Sequence, residues 1–199
     1  MDTRERKGNA AARRKLLSKI PKTPMSPDNS KQEEMRKDRE FINEYITRMA
    51  AILRPAVHLI DFAENRFPQK TSDQTKDDIL RMAVVFLHAT LEDFLRYIGS
   101  RYIVGADLDK RTFGNTDRIS ELLKSAGIPP NEFKKFYPYL SELMVRRHQI
   151  VHKGDLKATI NQEGERVPKP IDASKVKEWS KTVPDFVNAV AAYKLEAGV

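Results

Sequence analysis

A chain of 199 residues with 40% hydrophobic content is long enough for one domain with a real core, and one domain plus extensions is the default organisation. There is no cysteine, which excludes disulfides and thiolate metal sites and fits a reducing compartment. No run approaches the roughly 18 consecutive apolar residues of a membrane span, and no apolar signal region follows the start, so a soluble, cytoplasmic protein is expected.

The net charge of +8 is unevenly spread. Residues 1–30 carry eight Lys or Arg against three acids, whereas the remaining 169 residues hold 28 basic and 25 acidic side chains. The region expected to fold is nearly balanced, so charge alone is weak evidence for a nucleic-acid partner. Pro21, Pro24 and Pro27 close the basic stretch, which reads as a flexible tail over 1–30. Within it Ala10 to Ile20 has the pattern of a short basic amphipathic helix that forms against an acidic surface.

The ordered domain is expected over 31–199 and to be all-α. Ser30 with Glu33 forms a capping box, and Phe41, Ile42, Tyr45, Ile46, Met49, Ile52 and Leu53 recur at helical spacing, continuing through Val57, Ile60 and Phe62. Pro55 should kink or divide this first helix. Phe67 to Ser72 reads as a connection. Thr75 with Asp78 is a second capping signature, ahead of a long helix whose inward stripe is read as Ile79, Met82, Val85, Phe86, Ala89, Phe94, Leu95, Ile98 and Tyr102. Thr116 to Ala126 gives a short helix stopped by Gly127. Asn131 is a candidate cap for the next helix, and Pro138 suits the first turn of a longer helix because it lacks an N–H. A polar loop from Leu156 to Pro170 leaves room for a small hairpin with Gly164 at its turn. Asp172 or Ser174 then caps a last helix with Val176, Trp179, Val183, Phe186, Val187, Val190 and Tyr193 inward and a bend expected at Pro184.

The chemically capable side chains gather in Leu140 to Asp155: Arg146, Arg147, His148, His152 and Lys153, before Gly154. Leu140, Leu143, Met144, Ile150 and Val151 form an apolar ladder, and Arg147 stands near it where another apolar residue would be unremarkable. Gly154 is a natural stop, which places His152 in the last turn. Arg147 and His152 are five positions apart, about 140° around a regular helix. They would meet only through a relaxed last turn, an arginine that bends round, or a second copy of the motif across a two-fold axis. On an ideal helix the site is half encoded in each chain, and an inactive monomer is expected. The residue types suit RNA cleavage without a metal. That reaction needs a base for the ribose 2′-hydroxyl, an acid for the departing 5′-oxygen and positive charge on the phosphorane. Histidine can be base or acid, and arginine can grip phosphate with two parallel hydrogen bonds. His148 and His152 also have the offset of two metal ligands on one face, but no third ligand follows and Asp155 lies past the helix end. No metal and no cofactor is expected. His58 and His88 read as packing or surface residues, and Trp179 as a core anchor.

Arg147 to His152 resembles the R-x4-6-H motif of the HEPN superfamily, with His148 in the place where a polar residue commonly follows the arginine. Phe86 to Arg96 is similar to the helix that carries an acidic residue in many of these domains, and Glu92 matches it. The resemblance spans Arg39 to Tyr193 as an order of helices, nearest to the RiboL-PSP-like branch. It implies an antiparallel helical bundle, usually a homodimer, acting as a metal-independent endoribonuclease in toxin–antitoxin or antiviral systems. Arg147 and His152 would then be catalytic, and His148 would help hold the site. Glu92 would orient Arg147 or His152, and Arg146 and Lys153 would contact RNA. An antitoxin or other regulatory protein is the further partner this implies. Members regulated by modification of a tyrosine carry it two residues after the histidine. Gly154 stands there, so that scheme is not expected. Other members have lost activity, and the alternative is a non-catalytic HEPN module that binds RNA, a nucleotide or a protein partner.

Overall fold

The structure is a computed structural model that describes residues 27–66, 73–105, 108, 113–153, 155, 159–160, 164 and 166–196. The connection expected at Phe67 to Ser72 and the tail up to residue 26, with its amphipathic segment, lie outside the described residues. Five α-helices follow one another: α1 (Pro27–Asp61), α2 (Asp73–Tyr102), α3 (Thr116–Ser125), α4 (Tyr137–Lys153) and α5 (Ala173–Glu196). A π-helical turn, Phe62–Arg66, continues α1, and a 3-10 helix, Pro130–Phe136, leads into α4. Two-residue strands Thr159–Ile160 and Arg166–Val167 pair antiparallel, the small hairpin expected between α4 and α5. Among the described residues no helix is long and apolar enough to cross a membrane.

The chain divides into two units, Met1–Lys37 and Asp38–Val199. In the first, the described residues are helical, and Glu33 pairs with Arg36 at 2.8 Å and Lys37 at 3.5 Å. Helix α1 begins at Pro27, so Ser30 lies inside it and does not cap it. Proline is well placed there, since its missing N–H is one that a first turn leaves unpaired anyway.

The second unit is an all-α bundle. Its core takes Tyr45, Met49, Leu53, Ala56 and Ile60 from α1 and Leu80, Val84, Leu87, Leu91, Phe94, Leu95 and Ile98 from α2. These recur every three or four residues, the spacing that gives a helix one apolar stripe. Ile119, Leu122 and Leu123 come from α3, Leu140, Leu143 and Met144 from α4, and Val176, Val183, Phe186, Val187 and Val190 from α5. The Phe186 ring is the hub of the lower core, meeting Phe94, Phe133 and Phe136 edge-on at 5.7 to 6.1 Å. Such pairs contribute about 0.5–1.5 kcal/mol each beyond the area they bury.

Several sequence expectations shift. Met82 and Phe86 are 53% and 39% exposed, and Ala89 is exposed as well, while the buried stripe of α2 runs through Leu80, Val84, Leu87 and Leu91. The run from Ile79 to Leu87 is apolar nearly all the way round, so its pattern does not select a face; the helices packed against α2 do. Val57 and Phe62 are likewise exposed. Pro55 does not divide α1, and α5 runs through Pro184. Helix α2 starts at Asp73, which puts Thr75 in its first turn. Asn131 falls within the 3-10 helix, whose cap position is Pro129. Elsewhere the caps match: Asn115 Oδ1 accepts from Arg118 N at 3.0 Å ahead of α3. Gly127, at φ +70, takes the left-handed turn that ends α3. Asp172 Oδ1 accepts from the Ser174 N–H at 2.8 Å to open α5.

Candidate functional site

Helix α4 carries the motif. Pro138 occupies its first turn, Leu140, Leu143 and Met144 seat it in the core, and Ile150 packs partly buried against the same cluster. Val151, expected in that ladder, is 46% exposed. Arg147 stays half-buried, while His148 and His152 are exposed. Arg147 Nη1 lies 3.2 Å from His152 Nε2. The two side chains that diverge by about 140° on a helical wheel therefore meet within one chain, because the long arginine bends round to the last turn. This removes the geometric reason for expecting each chain to hold only half of the site.

A guanidinium has only N–H donors, so a hydrogen bond across this contact requires the His152 tautomer in which Nε2 accepts and Nδ1 holds the proton. The His148 ring stands beside the His152 ring, centroid to centroid 4.9 Å. Among the described residues no group of three or more His, Asp or Glu gathers around a common point.

Helix α2 supplies the buried side of the site. His88, read from sequence as a packing or surface residue, is 3% exposed, and its Nδ1 lies 3.9 Å from Glu92 Oε2. Burial pushes the His88 imidazole below its ordinary value of 6.5; Glu92 opposes the shift, and Arg147 and then Arg96 reinforce it. His88 thus sits buried on α2 within the fields of both Glu92 and Arg147. Glu92 was expected to orient Arg147 or His152. Its Oε2 stands 3.9 Å from the His88 ring.

Arg146, expected on RNA, is 8% exposed and faces inward. It grips both carboxylate oxygens of Asp155, with Nη2 to Oδ2 at 2.6 Å, and donates to the Lys169 carbonyl at 2.9 Å. Arg81 Nε, from α2, bonds the same Asp155 Oδ2 at 2.8 Å, and Arg81 Nη2 reaches the Lys169 carbonyl at 2.8 Å. With its donors committed, Arg146 is a structural partner of Asp155 and is not placed to contact phosphate. Removing one member of such a buried pair costs about 3–5 kcal/mol, because the other charge is left uncompensated. Lys153 ends α4; its side chain, like Gly154, lies outside the described residues.

The sequence reading missed Arg81, His88 and Asp155. A signal for the first two was present: one arginine and one histidine interrupt the apolar run of α2 seven residues apart, about 20° from each other around the helix. Asp155 gave none, because its partners come from nine and 74 positions away.

A groove of about 630 Å³ lined by Lys135, Phe136, Tyr139, Lys177 and Lys181 lies between the start of α4 and α5. Tyr139 and His148 are nine residues apart, about 180° around α4, so the groove and the motif face opposite ways and the groove is no part of this site. No protein-family model, curated protein or solved structure matches the chain.

Proposed function

We propose that the protein is a metal-independent endoribonuclease of HEPN type, cleaving RNA by attack of the ribose 2′-hydroxyl on the adjacent phosphate. The observation that carries the reading is the 3.2 Å contact between Arg147 Nη1 and His152 Nε2 at the open end of α4. It joins an anion-gripping group to an unprotonated imidazole nitrogen. In the free protein the guanidinium occupies the lone pair that a general base uses. A phosphate offers arginine a charge-assisted, two-pronged contact stronger than one to neutral imidazole. Substrate binding therefore draws Arg147 onto the phosphate and frees His152 Nε2 to take the 2′-hydroxyl proton. The same guanidinium then faces the charge that develops on the phosphorane.

The leaving 5′-oxygen needs an acid, and a second imidazole must supply it. His148, beside His152, is one source, and His152 of a second copy in a homodimer is the other. The resemblance to HEPN domains extends the reading to a toxin–antitoxin or antiviral setting with a regulatory protein partner. Purified protein is expected to cleave single-stranded RNA in excess EDTA and leave 2′,3′-cyclic phosphate ends. Arg147→Ala and His152→Ala each lower the rate by about 100-fold or more, the span assigned to general base and electrostatic groups. Cleavage that persists in both variants contradicts the assignment.

One observation favours a second reading, a non-catalytic HEPN module that binds RNA, a nucleotide or a protein. Glu92 approaches His88 at 3.9 Å, away from the role in which it would orient the motif. That reading predicts RNA binding without cleavage, weakening as salt rises and weakening further when residues 1–30 are deleted. Binding that is indifferent to both changes speaks against it.

A further inference from the structure

The last turn of α4 is braced from two sides. The final four carbonyls of a helix have no amide partner within it, and His152 sits among them, one residue before Lys153 closes α4. Past the helix end the Asp155 N–H folds back to the Gln149 carbonyl at 3.0 Å, six positions upstream, so the chain leaving α4 is tied back to its closing residues. Asp155 lies at φ +55, a left-handed conformation uncommon outside glycine but open to aspartate, and its surroundings hold it there.

Those surroundings use every polar group of Asp155. Arg146 holds both carboxylate oxygens and Arg81 holds one. The Asp155 carbonyl accepts from the Lys169 N–H at 3.2 Å, and both guanidinium groups donate to the Lys169 carbonyl. The clasp therefore joins α2, α4 and the chain entering α5. Its members also border the motif: Arg146 directly precedes Arg147, Asp155 lies three residues past His152, and Arg81 shares an α2 face with His88. The segment from Arg147 to His152 is pinned at both ends.

We propose that Asp155, through Arg81 and Arg146, is a positioning residue that fixes the last turn of α4 and so holds His152 Nε2 within reach of Arg147. The proposal rests on the ribonuclease reading of that pair. Helix ends fray when nothing holds them, and fraying here moves His152 away from Arg147. A displacement of about 1 Å at a reacting group can cost about 100-fold in rate. RNA phosphates bound along the surface register the same displacement weakly, so the loss falls on kcat and spares KM.

Two full-length variants test this. Asp155→Gly keeps the left-handed backbone, which glycine adopts freely, and deletes the carboxylate. Because it takes the carboxylate from the buried Arg146, while Arg81 keeps Asp78 at 2.8 Å, Arg81→Gln accompanies it, keeping the Arg146–Asp155 pair and cutting the tie to α2; where Asp155→Gly fails to fold, Arg81→Gln decides. Expected in the folded variants is a kcat lower by about tenfold or more with KM within about threefold of the wild type. Amide exchange at Ile150 to Lys153 should accelerate while the α2 and α5 core stays protected, and the His152 imidazole nitrogen resonances should shift. Variants that melt earlier yet keep the wild-type kcat and the wild-type His152 resonances overturn the proposal, since the clasp would then serve stability alone. A wild type that cleaves no RNA defeats the ribonuclease reading separately; exchange and imidazole resonances need no substrate and still decide the positioning claim.

Discussion

Arg147 is the residue whose placement the sequence made awkward, and its reach resolves the awkwardness. A helical wheel treats side chains as short spokes, so five positions read as a divergence of about 140°. A half-buried guanidinium on a flexible stem spans that angle and arrives 3.2 Å from His152 Nε2. The two residues were singled out in the sequence by their chemistry and by resemblance to a known motif. Their contact was not, because it depends on rotamers that periodicity does not encode. His88 adds a dependence on pH. Burial holds its folded-state value below the ordinary 6.5, so the unfolded chain takes up a proton first as pH falls. The contribution of neutral His88 is complete above about pH 6.5 and is lost as pH drops below it. A His88→Gln variant should flatten the fall in Tm between about pH 6.5 and pH 5 relative to the wild type. A wild-type Tm that does not decline over that range, or a variant that declines in parallel, would show that His88 is not the group responsible.

At the scale of elements, α4 and α5 were read nearly as they stand, since each has one apolar stripe and a clear start. Helix α2 was not. Its apolar run is nearly continuous, and the buried set through Leu80, Val84, Leu87 and Leu91 was chosen by contacts with α1, α4 and α5 that lie far away in sequence. The same cause hid Arg81 and His88, which lie on the face that α2 turns to the end of α4. The element contacts also identify where stability is concentrated. Phe186 on α5 is fully buried and meets aromatic rings from α2 and from the 3-10 helix. Phe186→Ala should destabilise the protein by about 3–5 kcal/mol, the range for emptying an aromatic site in a core. Urea unfolding followed by circular dichroism measures it; a loss under about 1 kcal/mol would mean that the site collapses around the smaller side chain.

For the whole molecule, composition and periodicity were enough to give an all-α bundle, because long amphipathic segments with few strand-like runs leave little alternative. The site needed more. Its motif half, Arg147, His148 and His152, lies within six consecutive residues and stands out in the chain. Its buried half, His88 and the Asp155 clasp, is assembled by the fold from α2, α4 and the segment before α5. The central claim is that this assembled end of α4 cleaves RNA through Arg147 and His152 without a metal ion. The direct measurement follows end-labelled RNA with wild type, Arg147→Ala and His152→Ala in excess EDTA, under conditions where all three proteins show the same helical circular dichroism. The account predicts 2′,3′-cyclic phosphate products from the wild type alone. Equal cleavage by all three proteins, or cleavage that EDTA abolishes, would contradict it.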